Sequence, residues 1–131
     1  MLTHTTKYRV IYGDTDNMGI AYHANYLRWF EIGRTEMFRH LGLTYKEIET
    51  KGIFLPVSEV YCKFTAPAQY DDVIEIETTI DSSVKGGMKF DYSISREYDG
   101  KVVATGYTKH ACVNQNGHVV RPPDFLAELI Y

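Results

Sequence analysis

The stretch YGDTDNMGIAYHANY at 12–26 gathers the side chains with the most chemical potential in this sequence. It holds two carboxylates (Asp14, Asp16), an imidazole (His23) and three phenols (Tyr12, Tyr22, Tyr26) within fifteen residues. Two chemistries fit such a set. An Asp-x-Asp pair with glycine at the sixth position opens a calcium loop, and a carboxylate beside a helix N-terminus serves acyl transfer. The calcium reading fails on its own spacing. An EF-hand loop needs an oxygen ligand at its fifth position and a bidentate glutamate at its twelfth. Counted from Asp14, those positions are Met18 and Asn25. A thioether is a poor ligand for a hard cation, and an amide cannot replace the bidentate charge. The segment ahead, KYRVIY, alternates like a strand where a helix should stand.

The acyl reading has its parts close together. Asp16 and His23 fall on a loop running into a helix, with Asn25 as the expected N-cap. First-turn amides of a helix point outward unpaired and carry the positive end of its dipole. A carbonyl oxygen set there is polarised, and the tetrahedral oxyanion gains more than the ground state does. Asp16 opposite that carbonyl could attack it or orient a water toward it. The plainer alternatives stay open. Aspartates in a glycine-containing turn commonly serve backbone hydrogen bonding, a lone histidine before a helix commonly packs or caps, and Tyr12 reads equally well as a strand aromatic. No GxSxG elbow, Walker A loop, GxGxxG or HExxH motif occurs.

Something must hold this loop. Residues 7–13 alternate, with Tyr8, Val10 and Tyr12 on one side, and predict a strand. From Tyr26, the residues Phe30, Gly33, Met37 and Leu41 form one apolar stripe at about 100° per residue. Leu27, Trp29, Ile32 and Phe38 widen it, leaving a narrow polar band of Arg28, Glu31, Thr35 and Arg39. A helix this apolar is enclosed on more than one side. Gly33, costly in a helix interior, predicts a close backbone approach, and Gly42 suits a left-handed cap. Thr44 to Glu47 has capping-box spacing and starts a short helix. Strands are expected at 53–64, 73–82, 88–98 and 101–114, with Asp99-Gly100 as a hairpin turn and a short helix capped by Asp124 at the end. The fold class is α+β, one antiparallel sheet against one long, mostly apolar helix. Its edges and second face predict pairing with another copy.

The whole-chain quantities narrow the function classes. The 131 residues suit a single domain, 1–131, with 44% hydrophobic and 24% charged residues. A net charge of −3 gives no bulk attraction to nucleic acid. No run approaches a membrane span, and MLTHTTKYRV lacks the apolar core of a signal peptide. Cys62 and Cys112 are far apart and read as buried thiols, without a zinc site, in a reduced cytoplasmic protein.

The spacing D-T-D-x-x-G-x-x-Y-H-x-x-Y within YGDTDNMGIAYHANYLRWFEIGRTEMFRHLG resembles the N-terminal signature of the 4-hydroxybenzoyl-CoA thioesterase family of hotdog-fold proteins. The likeness is strongest to the bacterial acyl-CoA thioesterases associated with the Tol-Pal system. FTAPAQYDD at 64–72 is similar to that family's segment before its next strand. The resemblance implies a hotdog fold, a sheet wrapped around the long helix, two protomers sharing one sheet as a homodimer, and often a dimer of dimers. It implies hydrolysis of acyl-CoA to a carboxylic acid and free CoA, with no metal or cofactor. The family's essential carboxylate falls on Asp16, with a histidine at His23 and a tyrosine at Tyr12. In the hydroxybenzoyl-type enzymes the backbone amide at the position of His23 polarises the thioester carbonyl. Other hotdog thioesterases carry a mid-helix glutamate; Glu31 is nearest, and its place in the polar band predicts pairing with Arg28 or Arg34 instead.

For substrate contact the expected residues are Tyr22 and Tyr26 near the acyl group. The loop SSVKGGMKF, through Lys85 and Lys89, is the candidate for the CoA nucleotide, although it reads equally well as a solvated hairpin. Two other functions compete. A hotdog hydratase or dehydratase would carry its histidine and carboxylate on or near the helix, and would not release thiol. A non-catalytic acyl-CoA-binding module would bind without turnover.

Overall fold

The computed structural model describes residues 2–130. In chain order the elements are β1 (Thr3–Arg9), α1 (Asn25–His40), α2 (Tyr45–Thr50), β2 (Val57–Phe64), β3 (Val73–Ile80), β4 (Met88–Arg96), β5 (Val102–His110) and α3 (Asp124–Ile130). One antiparallel sheet takes the order β1-β3-β4-β5-β2. The last three strands form the expected meander, but β2 crosses over to pair with β5 and becomes an edge.

Alternation writes the inner face of the sheet. Ile74, Ile76, Thr78 and Ile80 of β3 stand beside Met88, Phe90, Tyr92 and Ile94 of β4, and all are buried. Against them α1 lays Trp29, Phe30, Met37 and Phe38, each essentially without solvent exposure. Phe30 stacks on Tyr92 at 4.2 Å between ring centroids. Gly33 is where helix and sheet come nearest: a Cβ there would sit 2.4 Å from Thr78 Oγ1 and 2.7 Å from Ile76 Cγ2. The approach expected of this glycine is therefore real, and it outweighs the loss of helix propensity.

Local signals place the ends of the helices. Thr44 caps α2, its hydroxyl oxygen accepting from the Glu47 amide at 3.1 Å. Gly42 follows α1 at φ +85°. Cys112 is buried.

Three expectations need correction. The first strand runs over Thr3–Arg9 rather than 7–13. Tyr12–Asp14 is instead a 3-10 turn, so Tyr12 leaves the face of Tyr8 and Val10 and is 79% exposed. Cross-strand pairing with Val73–Thr79 carries the polar THTTKYR run into the sheet, where its own alternation is weak. The strand expected at 88–98 ends at Arg96, so Tyr98 lies beyond it and is exposed. Finally, α1 is not enclosed all round: besides the sheet it meets Tyr45 of α2 through Arg34 and Phe38, and Leu27 stays 43% exposed. Among the described residues no helix is long and apolar enough to cross a membrane.

Candidate active site at the head of helix α1

The two aspartates of the D-T-D run have opposite environments. Asp14 is 2% exposed and fully engaged. Its Oδ2 accepts from the Tyr8 hydroxyl at 2.7 Å and the Ile11 amide at 3.0 Å, while Oδ1 pairs with the Arg28 guanidinium. Its main-chain carbonyl accepts from the Tyr22 amide at 2.8 Å and the Asn25 side-chain amide at 2.7 Å. Asp14 thus ties the end of β1, the loop and the first turns of α1 together. Asp16 is half-buried, and one oxygen accepts from the Met18 amide at 2.8 Å. Its second oxygen takes no donor among the described residues.

The loop that carries Asp16 is a tight hairpin. Thr15 bridges Ala21, the Asp16 amide donates to the Ile20 carbonyl at 2.9 Å, and Gly19 turns at φ +79°. Its outer side is pinned to the 64–72 segment, Ala21 donating to the Ala68 carbonyl at 2.8 Å and Ile20 bridging Gln69. Asp16 is therefore held by paired backbone rather than left on a free loop.

Helix α1 begins one residue earlier than a cap at Asn25 would allow. Ala24 is the N-cap and Asn25 is the first helical residue, its side chain being spent on the Asp14 carbonyl. The amides of Asn25 and Tyr26 donate back to Tyr22 and His23 at 3.0 and 3.2 Å. Those of His23 and Ala24 take no main-chain acceptor among the described residues. They stand where the helix dipole is most positive.

Beside them lies a groove of about 360 Å³ lined by Ile20, Ala21, His23, Tyr26, Phe64 and Pro67, with Thr65 and Ala66 between the last two. Tyr26 is buried, packing edge-on against Phe64 at 5.0 Å, and burial pushes its hydroxyl above the ordinary phenol range. The His23 ring is exposed and lies 4.4 Å from Tyr22, itself half exposed. This apolar slot with unpaired amides at its head suits a thioester carbonyl with its acyl group beyond.

The chain does not bring every candidate here. Tyr12 turns away and packs edge-on against Tyr70 at 5.9 Å. Lys89 lies in β4, between Asp81 and Asp91 at 3.6 and 3.4 Å, and Lys85 Nζ donates to the Ser82 carbonyl at 3.2 Å. Both belong to the far end of α1. There His40 stacks on His4, the neighbour of Thr78, whereas Phe64 marks the near end. Sixteen helical residues put about 24 Å between these ends. Within one chain the two lysines thus stand far from the head of the helix. Glu31 is within 3.9 Å of Arg34, one of its two expected partners, while Arg28 goes to Asp14.

Sequence reasoning missed Arg28 as the anchor of Asp14, having placed it only on the polar band. It also missed Phe64 and Pro67 as groove walls, although they begin the FTAPAQYDD segment. Both thiols are poor nucleophiles, since burial raises Cys112 and lifts Cys62 to about 11.

Against known proteins, the sequence profile described as the thioesterase-like superfamily matches residues 10–130. The chain belongs to this family. It is 34% identical over 108 residues to the acyl-CoA thioesterase YbgC of Haemophilus influenzae, covering 81% of this chain and 77% of that one. A crystal structure of an Aquifex aeolicus protein superposes with a TM-score of 0.91 at 31% identity, over 98% and 99% of the two chains. A 4-hydroxybenzoyl-CoA thioesterase, crystallised as an aspartate-to-asparagine variant with 4-hydroxybenzoyl-CoA, superposes with a TM-score of 0.87 at 25% identity, over 98% and 99%. The five-stranded antiparallel sheet with its helices is the hotdog-like fold of this thioesterase superfamily.

Proposed function

We propose that this chain hydrolyses acyl-CoA thioesters to a carboxylic acid and free CoA, with Asp16 as the essential carboxylate. The observation that carries the reading is the asymmetry of the two aspartates. Asp14 has both oxygens committed to Tyr8, Ile11 and Arg28, whereas Asp16, on a pinned loop, keeps one oxygen without a donor among the described residues. The membership in the thioesterase-like family and the likeness to named acyl-CoA thioesterases support the substrate class.

In the proposed reaction the thioester carbonyl oxygen sits on the His23 and Ala24 amides and the acyl group enters the groove of Tyr26 and Phe64. Asp16 either attacks the carbonyl carbon, giving an anhydride that water then opens, or takes a proton from an attacking water. In both routes the C–S bond breaks and a C–O bond forms, and the thiolate of CoA leaves with the electron pair. The unpaired amides stabilise the oxyanion more than the ground-state carbonyl. The His23 ring orients the water or Asp16, and Tyr12 acts only if it reaches a site on another chain.

A second copy completes the assembly in this reading. Of the two sheet edges, β1 is polar and carries Lys7 and Arg9, whereas β2 is exposed on both faces with Val57, Val60, Tyr61 and Phe64 each 44–50% exposed. An apolar edge with unpaired backbone groups is a template for strand pairing. We assign β2 to a homodimer seam, which would carry the far-end lysines of one copy toward the groove of the other; a dimer of dimers is the larger form expected.

The test is thiol release by the pure protein and its Asp16→Asn variant, with EDTA present, across acyl-CoAs from short aliphatic to aromatic and long-chain. Release that falls at least about a hundredfold in the variant, or about 2.7 kcal/mol of barrier, supports the reading. Hydration of an enoyl-CoA without thiol release would replace it with hydratase chemistry, and binding without turnover of any thioester would replace it with a carrier role.

A further inference from the structure

The most unusual group outside the groove is Arg34. It is nine-tenths buried in the middle of α1, yet its nearest carboxylate among the described residues is Glu31, 3.9 Å away with a side chain 64% exposed. A buried cation is costly unless it is paired. The other groups around Arg34 are neutral: Tyr45 and Tyr92, whose hydroxyls accept from its Nε at 3.2 Å and its Nη1 at 3.5 Å.

These contacts form one chain whose direction can be deduced. The Leu55 carbonyl can only accept, so His110 Nδ1 is the protonated nitrogen facing it at 2.9 Å. His110 Nε2 must then accept from the Thr108 hydroxyl at 2.8 Å, and Thr108 Oγ1 receives the Tyr92 proton at 2.7 Å. Every donor from Arg34 Nη1 to Leu55 is thereby committed. Burial depresses the His110 pKa to about 4, so the imidazole stays neutral and adds no charge. Burial likewise lifts Tyr45 to about 12, so its hydroxyl remains a donor. Tyr45 accepts from Arg34, and its own proton is left unassigned.

Arg34 and Tyr45 line a cavity of about 670 Å³ together with the apolar Phe54, Leu55, Pro56 and Val113. It therefore offers a cation, a hydroxyl proton and apolar surface in one place. Thr35, Asn114, Gln115 and Gly117 also line it, as do Glu31 and Glu49, both exposed. Glu31 holds the place an anionic ligand would take.

We propose that this cavity binds an organic carboxylate with an apolar body, the carboxylate displacing Glu31 from Arg34 and accepting the Tyr45 hydroxyl proton. The binding itself does not depend on thioester hydrolysis, since it concerns an equilibrium at a place away from the head of α1; only its assignment to an acyl chain rests on the proposed function. The ligand is either a free carboxylic acid or the far carboxylate of a dicarboxylic acyl chain.

The experiment is a titration of the full-length protein with octanoate and, separately, with octanol. Resonance shifts at Tyr45, Phe54 and Val113 locate the binding and calorimetry supplies its affinity. Octanoate should bind there and octanol at least about tenfold more weakly, the ratio of one charge-assisted hydrogen bond. Tyr45→Phe should weaken octanoate about tenfold. Glu31→Gln, which keeps the side chain's shape and removes a 3.9 Å ion pair to an exposed carboxylate, should tighten it by about fivefold because a competing partner is removed. That gain is the outcome a merely structural Arg34 cannot give. Equal affinity for acid and alcohol, shifts confined to the Tyr26 and Phe64 groove, or an unchanged affinity in Glu31→Gln would each overturn the proposal. To separate the sources, thiol release from suberyl-CoA and octanoyl-CoA is compared in the parent and Glu31→Gln. A selective gain for suberyl-CoA assigns the site to the acyl chain's far end, and a gain in octanoate binding alone assigns it to a free acid.

Discussion

Replacing Asp14 and Asp16 separately by asparagine should divide stability from chemistry. Asp14→Asn keeps the shape but removes the charge. Arg28 loses its carboxylate, and an asparagine oxygen kept toward Tyr8 and Ile11 turns the amide NH2 onto the guanidinium, donor against donor. Hydrogen bonds to a charged group contribute about 1.5–3 kcal/mol, and stripping one member from a buried pair costs about 3–5 kcal/mol. Arg28 is 45% exposed and recovers hydration when freed, so the lower end applies, and the net loss should be about 2–4 kcal/mol. For a domain of this length that is a fall in melting temperature of about 10 °C.

Asp16→Asn should behave in the opposite way. Among the described residues its side chain accepts one hydrogen bond, from the Met18 amide, and asparagine makes the same turn bond. Stability should change by less than about 0.5 kcal/mol, while thiol release falls at least about a hundredfold. The assay is urea unfolding of both variants at one protein concentration, because association would otherwise shift the midpoints. Turnover is measured well below either melting temperature. If Asp16→Asn unfolds as easily as Asp14→Asn, or if Asp14→Asn is as stable as the parent, the assignment of anchor and catalyst to these two positions is wrong.

Three further outcomes follow from the same structure. Gly33→Ala should destabilise by about 1–3 kcal/mol in urea melts despite alanine's better helix propensity, because its methyl meets Thr78 and the stiff Ile76 side chain; a stabilised variant would mean that the helix can lift off the sheet. His110, depressed from 6.5 to about 4 by burial, binds its proton more readily unfolded than folded. Its contribution is thus present above about pH 6.5 and lost as pH falls toward 4, roughly 3 kcal/mol at most, so His110→Gln should flatten the acid limb of the urea midpoint between those values. Val60→Glu on the β2 edge should give a smaller species by light scattering and lower thiol release, while an unchanged assembly would move the seam elsewhere.

What could be read from the sequence was what local chemistry decides. The α1 stripe, the Thr44 cap, the Gly42 stop and the close approach at Gly33 each follow from residues a few positions apart, or from a penalty one residue carries alone. What escaped depends on partners distant in sequence. β1 takes its span from Val73–Thr79, and β2 leaves the strand order because β5 pairs with it. The buried charge of Arg34 was hidden for the same reason. Its phenol partners stand 11 and 58 positions away, and on a helical wheel an arginine reads as surface.

The active-site reading shows where such inference is strong. The D-T-D spacing marks the loop but does not say which carboxylate is free. Only the fold gives Asp14 its three partners, and with Arg28, 14 positions on, neither oxygen of Asp14 is left open to a substrate. The same commitment fixes the head of the helix. By holding the Tyr22 amide and the Asn25 side chain on its carbonyl, Asp14 fixes where the chain enters α1 and so where the His23 and Ala24 amides stand. In the proposed reaction the buried aspartate thus acts on the chemistry without touching it, and the half-buried Asp16 is the carboxylate left open because its neighbour has taken the structural role.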